Sequence, residues 1–194
     1  MVMQMLEPWM SILDITLLED IFALYPMKVL EWGSGGSTIY FKDKTRSWVA
    51  IEDNKLWYDG IKSLGGNVIF CDKYHIYTDR GAGAFDVVLV DGNYRNDCID
   101  NALKLISSGG LIFLHDAMRD AYHTSVVRLP WYRKAGDDLI VMSDREPSRN
   151  VLKILDRYSL RSIDSYSIPW DWRHELDDVP YCGYSRASWL VPRA

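Results

Sequence analysis

The sequence predicts an α/β fold in which a parallel sheet lies between two layers of helices. Short apolar segments alternate five times with helical patterns, the order expected of repeated strand–helix units. Val87–Val90 is apolar at every position, as in a central strand covered on both faces. Acidic residues stand where predicted strands end, and ligands of such sheets bind beyond those ends. These acidic residues are Glu31, Glu52, Asp72, Asp91 and Asp116.

The alternation begins with a helix over Ile12–Tyr25, where apolar residues recur at helical spacing. Pro26 ends this helix, because the residue before a proline disfavours helical geometry. A strand over Met27–Trp32 comes next. A turn rich in glycine and serine follows the strand, and the pattern then predicts the start of a helix over Thr38–Lys44.

The helix over Asn54–Leu64 has signals at both ends. Asp53 or Asn54 can cap its first turn, and the two glycines at 65 and 66 end it. The other predicted strands are Trp48–Glu52, Val68–Cys71, Asp86–Asp91 and Leu111–His115. The other predicted helices are Asn96–Ile106, which ends at Ser107–Gly110, and Asp116–Val127.

The chain of 194 residues is long enough for one domain with a complete core. We divide this single domain into a helical cap (1–26), a strand–helix core (27–128) and a closing region (129–194). In the closing region we expect a strand at Leu139–Met142 and an antiparallel pair formed by Leu160–Ile168 and Ser188–Val191. An aromatic insertion at Pro169–Trp172 lies between the two members of that pair.

Composition and charge exclude several classes of protein. With 48% hydrophobic and 25% charged residues the chain is globular, and no apolar run approaches the roughly 20 residues that span a bilayer. The first apolar stretch lacks a basic start and contains Glu7 and Asp14, so we expect a cytoplasmic protein rather than a secreted one. A net charge of −5 opposes nucleic-acid binding. Three scattered cysteines favour neither a disulfide framework nor a structural zinc site.

The turn within Glu31–Ser37 carries the main functional signal. Gly33 and Gly35 let the backbone pass close to a ligand, and the helix that follows offers amide hydrogens. Glu52 stands about 20 residues downstream, where a carboxylate can accept both hydroxyl hydrogens of a ribose. A dinucleotide-binding turn has a third glycine where this chain has Thr38, which disfavours an NAD-type oxidoreductase without excluding it.

Four segments between Val29 and Met118 resemble the class I S-adenosylmethionine-dependent methyltransferases. They are Val29–Ser37 (VLEWGSGGS), Trp48–Asn54 (WVAIEDN), Phe85–Gly92 (FDVVLVDG) and Gly109–Asp116 (GGLIFLHD). The resemblance implies a Rossmann-like three-layer αβα sandwich with a mostly parallel seven-stranded sheet and an antiparallel last strand. It also implies S-adenosylmethionine as cofactor and S-adenosylhomocysteine as product.

The same resemblance assigns roles to the residues of these segments. Glu31 lies near the amino-acid end of the cofactor, and Glu52 holds the ribose hydroxyls. Asp53 borders the adenine, and Asp72 meets its amino group. The turn along the methionine and ribose portions consists of Gly33, Ser34, Gly35, Gly36 and Ser37. Such an enzyme mainly holds donor and acceptor in line and helps to remove a proton.

The acceptor side is expected at the ends of the fourth and fifth strands. The segment Asp91–Tyr94 (DGNY) lacks the Asp/Asn-Pro-Pro-aromatic motif of amino-methylating enzymes, so the sequence favours O-methylation of a small molecule or sugar-like acceptor. His115 is the candidate general base, because an imidazole titrates near neutrality. The alternative is a strand-end histidine bonded to a neighbouring backbone group. Asp91 and Asp116 complete the catalytic candidates.

Asp91 and Asp116 also stand where catechol-type O-methyltransferases carry metal ligands. Two carboxylates there can hold Mg²⁺, which prefers oxygen ligands and lowers the pKa of a bound hydroxyl. Ala117 departs from that subgroup, which usually has asparagine at this position. The alternative is that Asp91 faces the methionine end of the cofactor and Asp116 caps the next helix.

Three hypotheses of function stay open at this point. The first is the O-methyltransferase, the second an NAD-type oxidoreductase, and the third a catalytically silent methyltransferase-like binding module. The closing region adds an aromatic stretch that suits stacking on an acceptor, internal packing or a homodimer contact. Its aromatic residues are Trp170, Trp172, Tyr181 and Tyr184.

Overall fold

Seven strands form one sheet in residues 7–73 and 83–158, the part of the chain that the computed structural model describes. The strands are β1 (Lys28–Trp32), β2 (Ser47–Glu52), β3 (Val68–Phe70), β4 (Phe85–Val90), β5 (Ile106–Leu114), β6 (Trp131–Ala135) and β7 (Leu139–Ser143). Their spatial order is β3-β2-β1-β4-β5-β7-β6. The first five strands pair in parallel, and β7 runs antiparallel to both of its neighbours. The predicted seven-stranded sheet with an antiparallel last strand is therefore confirmed.

Helices cover both faces of this sheet. They are α1 (Ile12–Phe22), α2 (Gly36–Phe41), α3 (Lys55–Ser63), α4 (Arg95–Leu105), α5 (His123–Val126) and α6 (Arg149–Tyr158). Side chains of α1, α2, α3 and α6 pack on one face, and those of α4 and α5 pack on the other. This arrangement confirms the three-layer αβα architecture. Among the helices described, none has both the length and the apolar character needed to cross a bilayer.

The central strand β4 shows why its sequence is apolar throughout. Val87 and Leu89 belong to the core on one face of the sheet, and Val88 and Val90 belong to the core on the other. All four side chains are fully buried. β4 therefore packs against both layers of helices, and for this reason none of its side chains between positions 87 and 90 is polar.

Some predicted boundaries are wrong. The predicted helix over Asp116–Val127 is reduced to a 3₁₀ turn at Asp120–Tyr122 and the short α5. Asp116 has a φ of +51°, so it does not act as the helix cap that one alternative required. Ser107–Gly110, which was predicted to end the fourth helix, lies inside β5, and β5 begins directly after α4.

Two strands, β6 and β7, complete the described sheet beyond β5. Leu139–Met142 is confirmed as a strand, and its partner at the edge of the sheet is β6, which was not predicted. β6 contains Arg133 and Lys134, and its outward positions are exposed, so it lacks the apolar character that marks the inner strands. The predicted pair at Leu160–Ile168 and Ser188–Val191 and the aromatic insertion lie outside the described residues.

A buried carboxylate fixes the turn between β6 and β7 to α1. Asp14 of α1 is fully buried, and its Oδ1 accepts hydrogen bonds from the N–H groups of Asp137 and Asp138 at 2.8 and 3.3 Å. Its Oδ2 accepts a bond from the hydroxyl of Ser11, the N-cap of α1, at 2.9 Å. Gly136, in the same turn, has a φ of +67° and passes directly over this carboxylate.

The close approach of Gly136 to Asp14 predicts a difference between two glycine variants. Gly65→Ala should lower the free energy of unfolding by about 1 kcal/mol, because its φ of +80° disfavours alanine while the space around it is open. Gly136→Ala should cost about 1–3 kcal/mol more, because its Cβ would lie 2.1 Å from Asp14 Oδ1. Urea unfolding of both variants measures the difference, and equal losses would contradict the steric argument.

Candidate active site

The glycine-rich turn after β1 brings the ends of three strands together. Gly33 has a φ of +90°, a conformation that favours glycine. A Cβ on Gly33 would lie 2.7 Å from the Cα of Gly92, in the turn after β4. The N–H of Gly33 donates to the carbonyl of Ile51, near the end of β2, at 2.9 Å. The turn therefore contacts β2 on one side and the β4 turn on the other.

Glu52, the last residue of β2, faces this turn. Its Oε2 accepts hydrogen bonds from the N–H and the hydroxyl of Ser34, at 2.8 and 2.9 Å. Its Oε1 accepts from the N–H of Asn54 at 2.8 Å. Burial raises the pKa of Glu52 above its ordinary value, although these hydrogen bonds favour the carboxylate. The carboxylate keeps room for another donor, since its two oxygens offer about four acceptor positions.

The turn uses some of its own amide hydrogens internally. The N–H of Gly35 donates to Thr38 Oγ1 at 3.0 Å, and that of Ser34 is bonded as described above. Within the described residues, a Cβ on Gly35 would meet no atom within 4 Å, whereas a Cβ on Gly36 would lie 1.7 Å from the carbonyl oxygen of Glu7. The N-terminal segment at Glu7 therefore covers the turn at Gly36. The predicted binding of a ligand by the amide hydrogens of this turn stays a prediction.

Glu31 lies beneath the turn and is fully buried. Its carboxylate accepts hydrogen bonds from Ser37 Oγ, from Thr38 Oγ1 at 2.5 Å and from the indole N–H of Trp48 at 2.8 Å. Burial outweighs these bonds and raises the pKa of Glu31 to about 8. Glu31 therefore holds the start of α2 against β2. Its predicted place near the amino-acid end of the cofactor stays a prediction.

On the acceptor side, His115 follows β5 and is paired with Asp91, which follows β4. His115 Nδ1 lies 2.8 Å from Asp91 Oδ1, so the ring bonds a carboxylate and not the backbone group of the alternative. Burial of the ring disfavours the charged form, but Asp91, and then Asp116, outweigh it and raise the pKa of His115 to about 9. The ring is therefore an imidazolium at neutral pH in this structure, and it must lose a proton before it can act as a base.

Arg95, the first residue of α4, joins the ends of β4 and β5 and was missed from the sequence. Its guanidinium donates to the backbone carbonyls of Asp91, Gly92 and His115. Its Nη2 also lies 2.9 Å from Asp116 Oδ2 and 3.4 Å from Asp91 Oδ1. Its only sequence signal was the four-residue spacing between the opposite charges of Asp91 and Arg95, which is weak because Asp91 precedes the helix.

The predicted metal ligands are close together but already have a cation between them. Ligand atoms of Asp91, His115 and Asp116 all lie within 4.8 Å of one another. Burial opposes ionisation of Asp116, yet His115 and Arg95 outweigh it and lower its pKa below the ordinary value. Because Arg95 contacts both carboxylates, the site as folded does not fit Mg²⁺.

The remaining predicted residues lie near the ends of β2 and β3. Asp53 is half-buried next to Glu52, and Asp72 is exposed in the turn after β3. Trp57, in the first turn of α3, packs edge-to-face against Trp9 of the N-terminal segment, with ring centroids 5.6 Å apart. The predicted roles of Asp53 and Asp72 toward adenine stay predictions.

Comparison with solved structures identifies the fold. A methyltransferase-like protein (spo2022) from Silicibacter pomeroyi is 20% identical, with a TM-score of 0.57, over 78% of this chain and 95% of that one. The N-methyltransferase NodS from Bradyrhizobium japonicum is 14% identical, with a TM-score of 0.51, over 69% and 94%. The 16S rRNA methyltransferase RsmC from T. thermophilus, solved with AdoMet and guanosine, is 14% identical, with a TM-score of 0.51. The match to RsmC covers 70% of this chain and only 44% of RsmC.

These similarities confirm the resemblance to class I methyltransferases at the level of the fold. The sequence itself matches no protein-family model, and no curated protein matches it. The strand order and the antiparallel β7 agree with the architecture that the four sequence segments implied.

The contact between His115 and Asp91 predicts how the imidazole titrates. Asp91→Asn should lower the pKa of His115 from about 9, because burial then loses its main opponent, although Asp116 and Asp14 still raise the pKa. NMR of the ring protons across a pH series measures this value. Asp116→Asn is the control and should lower the pKa less, because Asp116 Oδ1 is 3.9 Å from Nδ1. A wild-type pKa below 6.5 would contradict the assignment.

Proposed function

We propose that this protein binds S-adenosylmethionine and transfers its methyl group to a small-molecule acceptor. The observation that carries the proposal is the position of Glu52, which lies at the end of β2 and bonds the glycine turn through Ser34. In a sheet of this order, that position borders the crevice at the carboxyl ends of the strands, where ligands bind.

The geometry of Glu52 suits the two hydroxyl groups of a ribose. Three of its roughly four acceptor positions are used by Ser34 and Asn54. One hydroxyl can take the position left on the carboxylate, and a second can replace the hydroxyl of Ser34, which is free to rotate. The N–H of Ser34 keeps its bond throughout, so the carboxylate stays oriented while the sugar binds.

Thr38 favours a methyltransferase over an NAD-type oxidoreductase. In a dinucleotide turn, the third glycine allows the helix to pack closely against the strand. Here Thr38 is fully buried at that position, and its hydroxyl donates to Glu31 and accepts from Gly35. The buried side chain of Thr38 therefore fills the position at which the dinucleotide fingerprint requires glycine.

His115 could remove a proton from the methyl acceptor. S-adenosylmethionine supplies an electrophilic methyl group on a positively charged sulfur. His115 is held through Nδ1 by Asp91, so Nε2, once the imidazolium has lost its proton to solvent, is the atom that would take the proton of an acceptor hydroxyl. This arrangement supports O-methylation of a small or sugar-like molecule. The net charge of −5 supports a small acceptor over a nucleic acid, and we place the reaction in the cytoplasm.

Two variants test the proposed contact with ribose. Glu52→Gln should weaken binding of S-adenosylhomocysteine by at least about tenfold, because each hydrogen bond to a charged group contributes about 1.5–3 kcal/mol. Ser34→Ala should change the affinity by less than about threefold, since the sugar replaces its hydroxyl. Calorimetric titration measures both values. Equal affinities of Glu52→Gln and the wild type would contradict the assignment.

The choice among the three functions is tested by thermal unfolding with added ligands. We expect S-adenosylmethionine and S-adenosylhomocysteine to raise the melting temperature, because a ligand that binds only the folded state stabilises it. NAD at the same concentration should leave the melting temperature unchanged. A rise with NAD alone would favour the oxidoreductase. Binding of S-adenosylmethionine without turnover of any hydroxylated acceptor in a labelled-methyl screen would favour the silent module.

A further inference from the structure

We propose that the Arg95 guanidinium is the resident cation of the acceptor side and that it positions Asp91 and Asp116 without a divalent metal. Metal-ligating groups occur together here, since Asp91, His115 and Asp116 offer ligand atoms within 4.8 Å of one another. The proposal concerns what neutralises and orients these carboxylates, and it can be tested whether or not methyl transfer is the reaction.

Arg95 occupies the same carboxylate oxygens that a metal would need. Its Nη2 is 2.9 Å from Asp116 Oδ2 and 3.4 Å from Asp91 Oδ1. Mg²⁺ binds oxygen at about 2.1 Å, so an ion on Asp116 Oδ2 would lie at most about 5 Å from that nitrogen. Because an arginine side chain stays protonated at any physiological pH, the ion would face a permanent like charge.

The guanidinium is also fixed in place. Arg95 is 7% exposed, and its Nε donates to the carbonyl of Gly92 at 2.8 Å. Its Nη1 and Nη2 donate to the carbonyls of His115 and Asp91, and its guanidinium carbon lies 4.7 Å from the centre of the Tyr122 ring. A metal would have to displace the cation and also leave three backbone carbonyls without their donor.

These contacts make Arg95 a positioning residue. One planar group joins the ends of β4 and β5 through backbone bonds and holds a carboxylate from each end in a set direction. Lysine carries the same charge but lacks the planar fork, so it can replace the charge without replacing the geometry.

The test uses Mn²⁺ as a probe, followed by its electron paramagnetic resonance signal. The wild-type protein should leave millimolar Mn²⁺ free, whereas Arg95→Met should bind it at least about tenfold more tightly, because the two carboxylates lose the guanidinium and metal binding can then displace the proton of His115. Arg95→Lys should stay free of Mn²⁺. The matched control is Arg119→Met: Arg119 is half-exposed and 3.7 Å from Asp116 Oδ2, so its removal should create no site.

Several outcomes would overturn the proposal. The first is that the wild-type protein binds Mn²⁺ at micromolar concentration and Asp91→Asn does not, which would place a metal where we place Arg95. This result does not depend on the folding of any Arg95 variant. A folded Arg95→Met protein, judged by circular dichroism, that binds no Mn²⁺ would show that the three groups are not a latent site.

Methyl transfer, once an acceptor is found, should continue in excess EDTA. Failure of S-adenosylmethionine to bind would contradict the proposed function and leave the Mn²⁺ result unaffected.

Discussion

The backbone contact between Gly33 and Gly92 is the constraint on which the rest of the site depends. It joins the turn after β1 to the turn after β4, and a side chain at Gly33 would overlap the backbone of Gly92. Through this contact Glu52, at the end of β2, and Asp91, directly after β4, are held at the same edge of the sheet. Under the proposed function, a wider separation of the two turns would remove the alignment of methyl donor and acceptor.

Two buried glutamates at neighbouring strand ends differ in the donors that surround them. Glu31 receives three hydrogen bonds from side chains that surround it completely. Glu52 receives two bonds from backbone N–H groups and one from a hydroxyl that can rotate. The donors of Glu31 are buried in the core. One donor of Glu52 is the hydroxyl of Ser34, which can rotate away, as the proposed contact with ribose requires.

Local patterns predicted much of the fold because they act over a few residues. The apolar run of β4, the N-cap at Asn54 and the position of Glu52 all follow from short-range chemistry. Arg95, Asp14 and the edge strand β6 could not be found in this way. Their contacts span long separations: Arg95 meets Asp116 twenty-one residues away, and Asp14 meets Asp137 at a separation of 123 residues.

Contacts between residues far apart in the sequence also change the acidic edge that the five strand-end acids predicted. Two of the five strand-end acids are paired with cations, since Asp91 and Asp116 contact His115 and Arg95. A third, Glu31, is fully buried, and its burial raises its pKa to about 8. Glu52, by contrast, accepts its hydrogen bonds from neutral groups of Ser34 and Asn54. Under the proposed function, the ribose therefore meets neutral donors around Glu52, whereas the methyl acceptor meets carboxylates that are already paired with His115 and Arg95.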